Sequence, residues 1–232
     1  MSDPTMREVS PVQSAIDTMR AVRDRCVWTQ QMTHRDLVPY LIEESAELID
    51  AVEAGSRAEL REELGDLLWQ VLFHAEIASR DEEAPFDIQD VAAGLTEKMV
   101  RRHPHVFTDA VATTPEEVLV HWNAAKAAEK RHRASVLDGV SHAMPALALA
   151  QKIIGRAAQA GVAVRNDDPA ETPGDARRFG QDAVSHAAPE TEAELGDALL
   201  ALAAAARVHG WDAERALRTR LRLLESEIRA AE

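Results

Sequence analysis

The run Leu64, Leu67, Leu68, Val71, Leu72 and Ala75 constrains this chain most. Its spacing of i, i+3, i+4, i+7, i+8 and i+11 draws one face of an α-helix and fits no strand. Ser56-Arg57-Ala58-Glu59 stands just before it and reads as a capping box, so a helix is predicted from Ser56 to about Arg80. Upstream, Pro39 suits a first helical turn, and Leu41, Ile42, Leu48, Ile49 and Val52 give the next helix its apolar side. Gly55 is placed to end that helix near Ala54. A link this short makes the two helices antiparallel neighbours.

Further helices are predicted for Ile16 to Arg25, for Ile88 to Arg102 with Asp87 as cap, and for Pro115 to about His132 behind Thr114. Pro145 to Ala160, the run after Glu194 and Asp212 to Glu232 complete the set. Thr29 to Asp36 reads as a polar loop, and 165–189 as a loop with a short helix around Asp175 to Ser185. Apolar residues make up 46% of 232 but aromatics only 4%, so the core must come from Leu, Ala, Val and Ile. The expectation is an all-α helical bundle.

The helix pair carries an unusual load. Glu43, Glu44 and Glu47 collect on one face of the first helix, and Glu63 and Asp66 on one face of the second. If the helices pair, four or five carboxylates converge, and they repel one another unless a cation sits among them. Oxygen ligands without Cys or His point to Mg²⁺, with Mn²⁺ as the alternative. Gly65 lies between two of these carboxylates, where glycine costs a helix roughly 1 kcal/mol relative to alanine. Close approach of a ligand or of another helix would offset that cost.

Lys98, Arg101 and Arg102 share a helical face and have the donors to hold phosphate oxygens. Trp28 reads first as a core residue beside the polar loop, and second as a stacking platform. Trp122 and Lys126 lie one turn apart on a helix. His103 and His105, in a proline-containing turn without a nearby cysteine, are poor metal candidates. The net charge of −14 argues against a nucleic-acid polymer as partner. Cys26 stands alone, which leaves no disulfide framework. Met1 to Ser10 hold no apolar signal core, and no apolar run is long enough to span a bilayer, so a soluble cytoplasmic protein is expected.

Glu194-Leu195-Gly196-Asp197 repeats Glu63-Leu64-Gly65-Asp66. Counting back from Glu194 by the first-copy spacings lands on Arg178 and Asp175 in place of Glu47 and Glu44. The second copy therefore reads as scaffold, not a second centre.

Glu43-Glu44-x-x-Glu47 with Glu63-x-x-Asp66, followed by Arg101-Arg102-His103-Pro104-His105-Val106-Phe107, resembles the MazG family of nucleoside triphosphate pyrophosphohydrolases. Trp122 with Lys126, and Ala134 to Gln151, resemble the link between the halves of its tandem members. The resemblance implies an all-α NTP pyrophosphatase bundle of two tandem repeats, Mg²⁺ dependence, a homodimer or larger assembly, and cleavage of NTPs and dNTPs to monophosphate and pyrophosphate. It implies a catalytic domain over 1–133 and a degenerate, structural repeat over 134–232. By position it makes Glu44, Glu47, Glu63 and Asp66 the metal ligands and Glu43 the residue that orients or deprotonates water. Lys98 and Arg102, with Arg101, match the phosphate-holding positions, and Trp28, Trp122 and Lys126 match substrate contacts. Two departures stand out. Cys26-Val27-Trp28-Thr29 replaces the frequent Cys-Pro-Trp-Asp, which leaves base preference open. Leu223 and Glu227 stand where the second copy should have Lys98 and Arg102.

Two other readings compete. One is a non-enzymatic helical dimerisation or regulatory module whose acidic faces are solvated. The other is a di-metal redox bundle, which needs Glu-x-x-His pairs. His74 is out of register with Glu63 and Asp66, so the redox reading is weak.

Overall fold

The computed structural model describes residues 10–131, 133–162 and 188–232. The described residues contain helices and turns and no strand, so the fold is all-α. The chain divides into two units, Met1–Glu129 and Lys130–Glu232.

The first unit opens with α1 (Pro11–Arg25), five residues ahead of the predicted Ile16. Ser10 caps it by accepting from the Gln13 N–H, and Pro11 fills the first turn, a start signal that periodicity alone passes over. Helices α2 (Val38–Glu53) and α3 (Arg57–Ala78) pack against each other, and α3 also packs on α1. Both halves of the Ser56–Glu59 capping box form. Gly55 works differently from expectation: its φ is not positive, but a methyl group there would meet the Ala51 Cα at 2.7 Å and its carbonyl oxygen at 2.9 Å. Asp87 and Asp90 form a second capping box for α4 (Ile88–Arg102). The His-Pro-His turn is itself a short helix, α5 (Pro104–Phe107), and α6 (Pro115–Glu129) follows.

The core of this unit is Ile16, Met19, Met32, Leu37, Leu72 and Phe73. Each such burial contributes about 1.5–3 kcal/mol. The α3 stripe divides in two: Leu72 and Ala75 are buried, whereas Leu64, Leu68 and Val71 are 52%, 41% and 42% exposed. Ile42 and Val52 on α2 are likewise exposed. The predicted polar loop is pinned to the core. Thr29 is buried, and its hydroxyl donates to the Val22 carbonyl at 2.9 Å and to that of Cys26 at 3.1 Å.

The second unit holds α7 (Ala146–Gln159), α8 (Glu192–Val208) and α9 (Ala213–Ala231). Helices α7 and α8 both end in Schellman motifs. Gly161 and Gly210 take φ of +69° and +70°, and the N–H groups of Val162 and Trp211 reach back to the Ala157 and Ala206 carbonyls. Ala157, Ala203, Ala204 and Ala206 are buried where these helices meet. At Gly155 a methyl would meet the Arg207 Nη1 at 2.9 Å, so the arginine head group would have to shift to admit a side chain. The predicted helix at Asp175 to Ser185, with Asp175 and Arg178, lies outside the described residues. Among the described residues no helix is long and apolar enough to cross a membrane.

Candidate metal and phosphate site

Pairing of α2 with α3 brings carboxylates from both helices together. Glu44, Glu63 and Asp66 each offer one oxygen, and the three oxygens lie within 4.8 Å of one another. Glu44 and Glu63 are half-buried and Asp66 is exposed. Partial burial pushes the Glu44 carboxyl above its ordinary value, and the charges of Asp66, Glu47 and Glu43 push it further. Partial burial raises Glu63 too, followed by the charges of Glu47, Asp66, Glu62 and Glu44. Glu47 is therefore an electrostatic neighbour of the cluster, although it is not one of the three converging groups. Glu43 is exposed on the same helix. Three converging carboxylates without nitrogen or sulfur form a donor set that fits a hard divalent cation, which would relieve this repulsion.

One member of this site is not visible in the sequence. Gln70, one turn after Asp66, is buried, and its side chain hydrogen-bonds to Glu44 and counters the rise in that carboxyl. Its Oε1 is buried without a partner. On α3 a glutamine reads as a solvated residue, and only the packing of α2 reveals its position. Gly65 has open space beside it: a methyl there would meet no other atom within 4 Å. Packing inside the described chain is thus not the reason for this glycine.

In the same unit, α4 carries Lys98, Arg101 and Arg102. Lys98 is half-buried. Both arginines turn to Glu129 at the end of α6. Arg101 donates through Nε at 2.9 Å, with its Nη2 in ion-pair contact at 2.8 Å, and Arg102 donates to both carboxylate oxygens. These bonds hold the Glu129 carboxyl down to about 2. The Arg102 guanidinium also lies 4.9 Å from the Trp122 ring centre, and Trp122 meets His103 edge-on at 5.2 Å. One face of Trp122 thus belongs to the protein itself. Lys126 follows one turn later, half-buried. His103 Nδ1 lies 2.7 Å from the Met99 carbonyl oxygen. Trp28 is 53% exposed and touches Tyr40 edge-on, so the core reading of this residue fails and the platform reading remains open to it.

In the second unit Glu194 does a different job. It sits in the first turn of α8 and accepts from the Glu190 N–H at 2.7 Å, while Thr191 caps the same turn. Glu63, by contrast, lies well inside α3.

Residues 32–107 match the MazG nucleotide pyrophosphohydrolase domain family. An uncharacterized 26.1 kDa protein of Streptomyces cacaoi is 46% identical over 217 residues, covering 94% of this chain and 81% of its own. A nucleoside triphosphate pyrophosphohydrolase of Escherichia coli strain K12 is 35% identical over 98% of this chain and 88% of its own. A mazG-related protein of Thermotoga maritima, known by crystal structure, superposes with a TM-score of 0.44 at 25% identity, over 49% of this chain and 97% of its own.

Proposed function

Because this chain belongs to the MazG family of nucleotide pyrophosphohydrolases, we propose that it hydrolyses nucleoside and deoxynucleoside triphosphates to the monophosphate and pyrophosphate, with Mg²⁺ as cofactor and Mn²⁺ as a substitute. The observation that carries this reading is the convergence of Glu44, Glu63 and Asp66 within 4.8 Å. These three residues, with Glu47 beside them, hold the cation. Bound there, it supplies Lewis-acid stabilisation of the charge on the phosphate oxygens. Glu43 orients or deprotonates the attacking water. Water adds to the α-phosphorus, the bond to the bridging oxygen breaks, and pyrophosphate leaves. Lys98, Arg101 and Arg102 neutralise the phosphate tail and the leaving group. Trp28, Trp122 and Lys126 line the nucleotide.

The first unit is the catalytic one and the second a structural repeat. Engagement of Glu194 in capping α8 supports that division. The exposed Leu64, Leu68, Ile42 and Val52 suit a homodimer or larger assembly. The role is nucleotide-pool house-cleaning in the cytoplasm, with no membrane and no nucleic-acid polymer as partner.

A panel of ribo- and deoxyribonucleoside triphosphates with Mg²⁺, scored for pyrophosphate against phosphate, tests the reading. Glu47→Gln and Asp66→Asn are expected to abolish pyrophosphate release. Wild-type turnover in either variant overturns the site assignment, and release of single phosphates overturns the reaction.

A further inference from the structure

Resting on the reading that the basic end of α4 holds the phosphate tail, we propose that Glu129 is a positioning residue. It sets the Arg101 and Arg102 guanidinium groups for the triphosphate without touching the triphosphate itself. Glu129 lies outside the family match, which ends at residue 107.

Arg101 and Arg102 are neighbours in sequence, so their Cα–Cβ bonds leave the helix about 100° apart. Their head groups nevertheless meet at one atom. The Glu129 Oε1 accepts from the Arg101 Nε at 2.9 Å and from the Arg102 Nε at 3.2 Å. Two guanidinium groups brought this close repel each other. The carboxylate between them offsets one of the two charges and lets the pair stand together beside Lys98. Its grip is a two-pronged one on Arg102, the geometry that fixes a guanidinium plane most firmly. Trp122 holds the flat face of the same group.

The two arginines are not held alike. The Arg102 side chain is 12% exposed and that of Arg101 is 52% exposed. Glu129 engages Nε and Nη2 of each and leaves the Nη1 donors of both to other acceptors. With its carboxyl down to about 2, Glu129 stays charged throughout the neutral range, so the clamp is permanent and not a pH switch. An ion pair that merely tied α4 to α6 would act on stability alone. A positioning residue acts on substrate affinity as well.

The test uses the full chain with Mg²⁺ and the triphosphate of the panel that is turned over fastest. KM, kcat and the unfolding midpoint are measured for wild type, Glu129→Gln, Arg102→Gln and the double variant, well below the lowest midpoint. Glu129→Gln is expected to raise KM about five- to tenfold with kcat within about twofold. The double variant is expected to raise KM by less than the product of the two single effects, because Glu129 acts in part through Arg102 and in part through Arg101. An unchanged KM with a lowered midpoint reduces Glu129 to a tie between helices and overturns the proposal. A lowered KM makes it a competitor of the phosphate tail, and independent, additive effects sever it from Arg102; either result overturns the proposal. Failure of the wild type to release pyrophosphate from any triphosphate is a separate outcome, which removes the functional reading and this proposal with it.

Discussion

His34 and His74 face each other with their Nδ1 atoms 2.7 Å apart and their rings within 5° of parallel. One nitrogen must donate and the other accept, so the bond exists only while at least one ring is neutral. Burial first, and the charge of His34 second, push His74 below its ordinary 6.5. Its Nε2 is buried without a partner. The folded chain thus favours neutral His74, while the unfolded chain takes up the proton more readily. The resulting stability is fully present above 6.5 and is lost as pH falls below 6.5 towards the folded value. The unfolding midpoint should drop across that window, and His74→Gln should flatten the drop. A midpoint with the same pH dependence in both proteins would remove His74 as its source.

The acidic cluster predicts the opposite sign. Glu44 and Glu63 titrate above their ordinary 4.5 in the folded chain. Metal-free stability from these groups is present below 4.5 and is lost as pH rises through their folded values. At neutral pH, Glu63→Gln should therefore raise the metal-free midpoint by about 2–4 °C. It should also erase the rise that millimolar Mg²⁺ gives the wild type. Differential scanning fluorimetry with and without Mg²⁺ reads both effects. A Mg²⁺-dependent rise that survives in Glu63→Gln would place the cation elsewhere.

Gly65→Ala separates fold from function. The added methyl meets no atom within 4 Å, and helix propensity favours alanine by about 1 kcal/mol. The variant should be more stable in urea, yet release pyrophosphate at least about tenfold more slowly, because space between Glu63 and Asp66 is kept for the bound ligand. Full activity in a stabilised protein would show that the glycine has no role at the site.

Glu194→Gln should leave turnover within about twofold of wild type. Gln keeps an acceptor for the Glu190 N–H and is itself a capping-box residue, so stability should also change little. A large loss of pyrophosphate release would make the second unit part of the catalytic machinery.

Local chemistry was legible in the sequence. The box at Ser56–Glu59, the Asp87 cap, the starts at Pro39 and Pro115 and the face shared by Glu63 and Asp66 depend on residues within one turn of each other. What lay hidden depends on neighbours far along the chain. Thr29 looks like loop until the Val22 carbonyl takes its hydroxyl. Gln70 looks solvated until α2 covers it, and Glu129 looks like one acid among many until Arg101 and Arg102 reach it across 28 and 27 residues. The α3 stripe misled in the other direction: its periodicity is uniform, but α1 and α2 cover only part of it.

That half-covered stripe has a consequence for how the protein behaves in solution. Copies that each carry a net charge of −14 repel one another, while Leu64, Leu68 and Val71 offer apolar surface to any neighbour that comes close enough. At physiological ionic strength the repulsion reaches only about 8 Å, and added salt shortens that range while strengthening the attraction between apolar faces. Self-association through α3 should therefore tighten as ionic strength rises, the reverse of what an interface built on ion pairs would do.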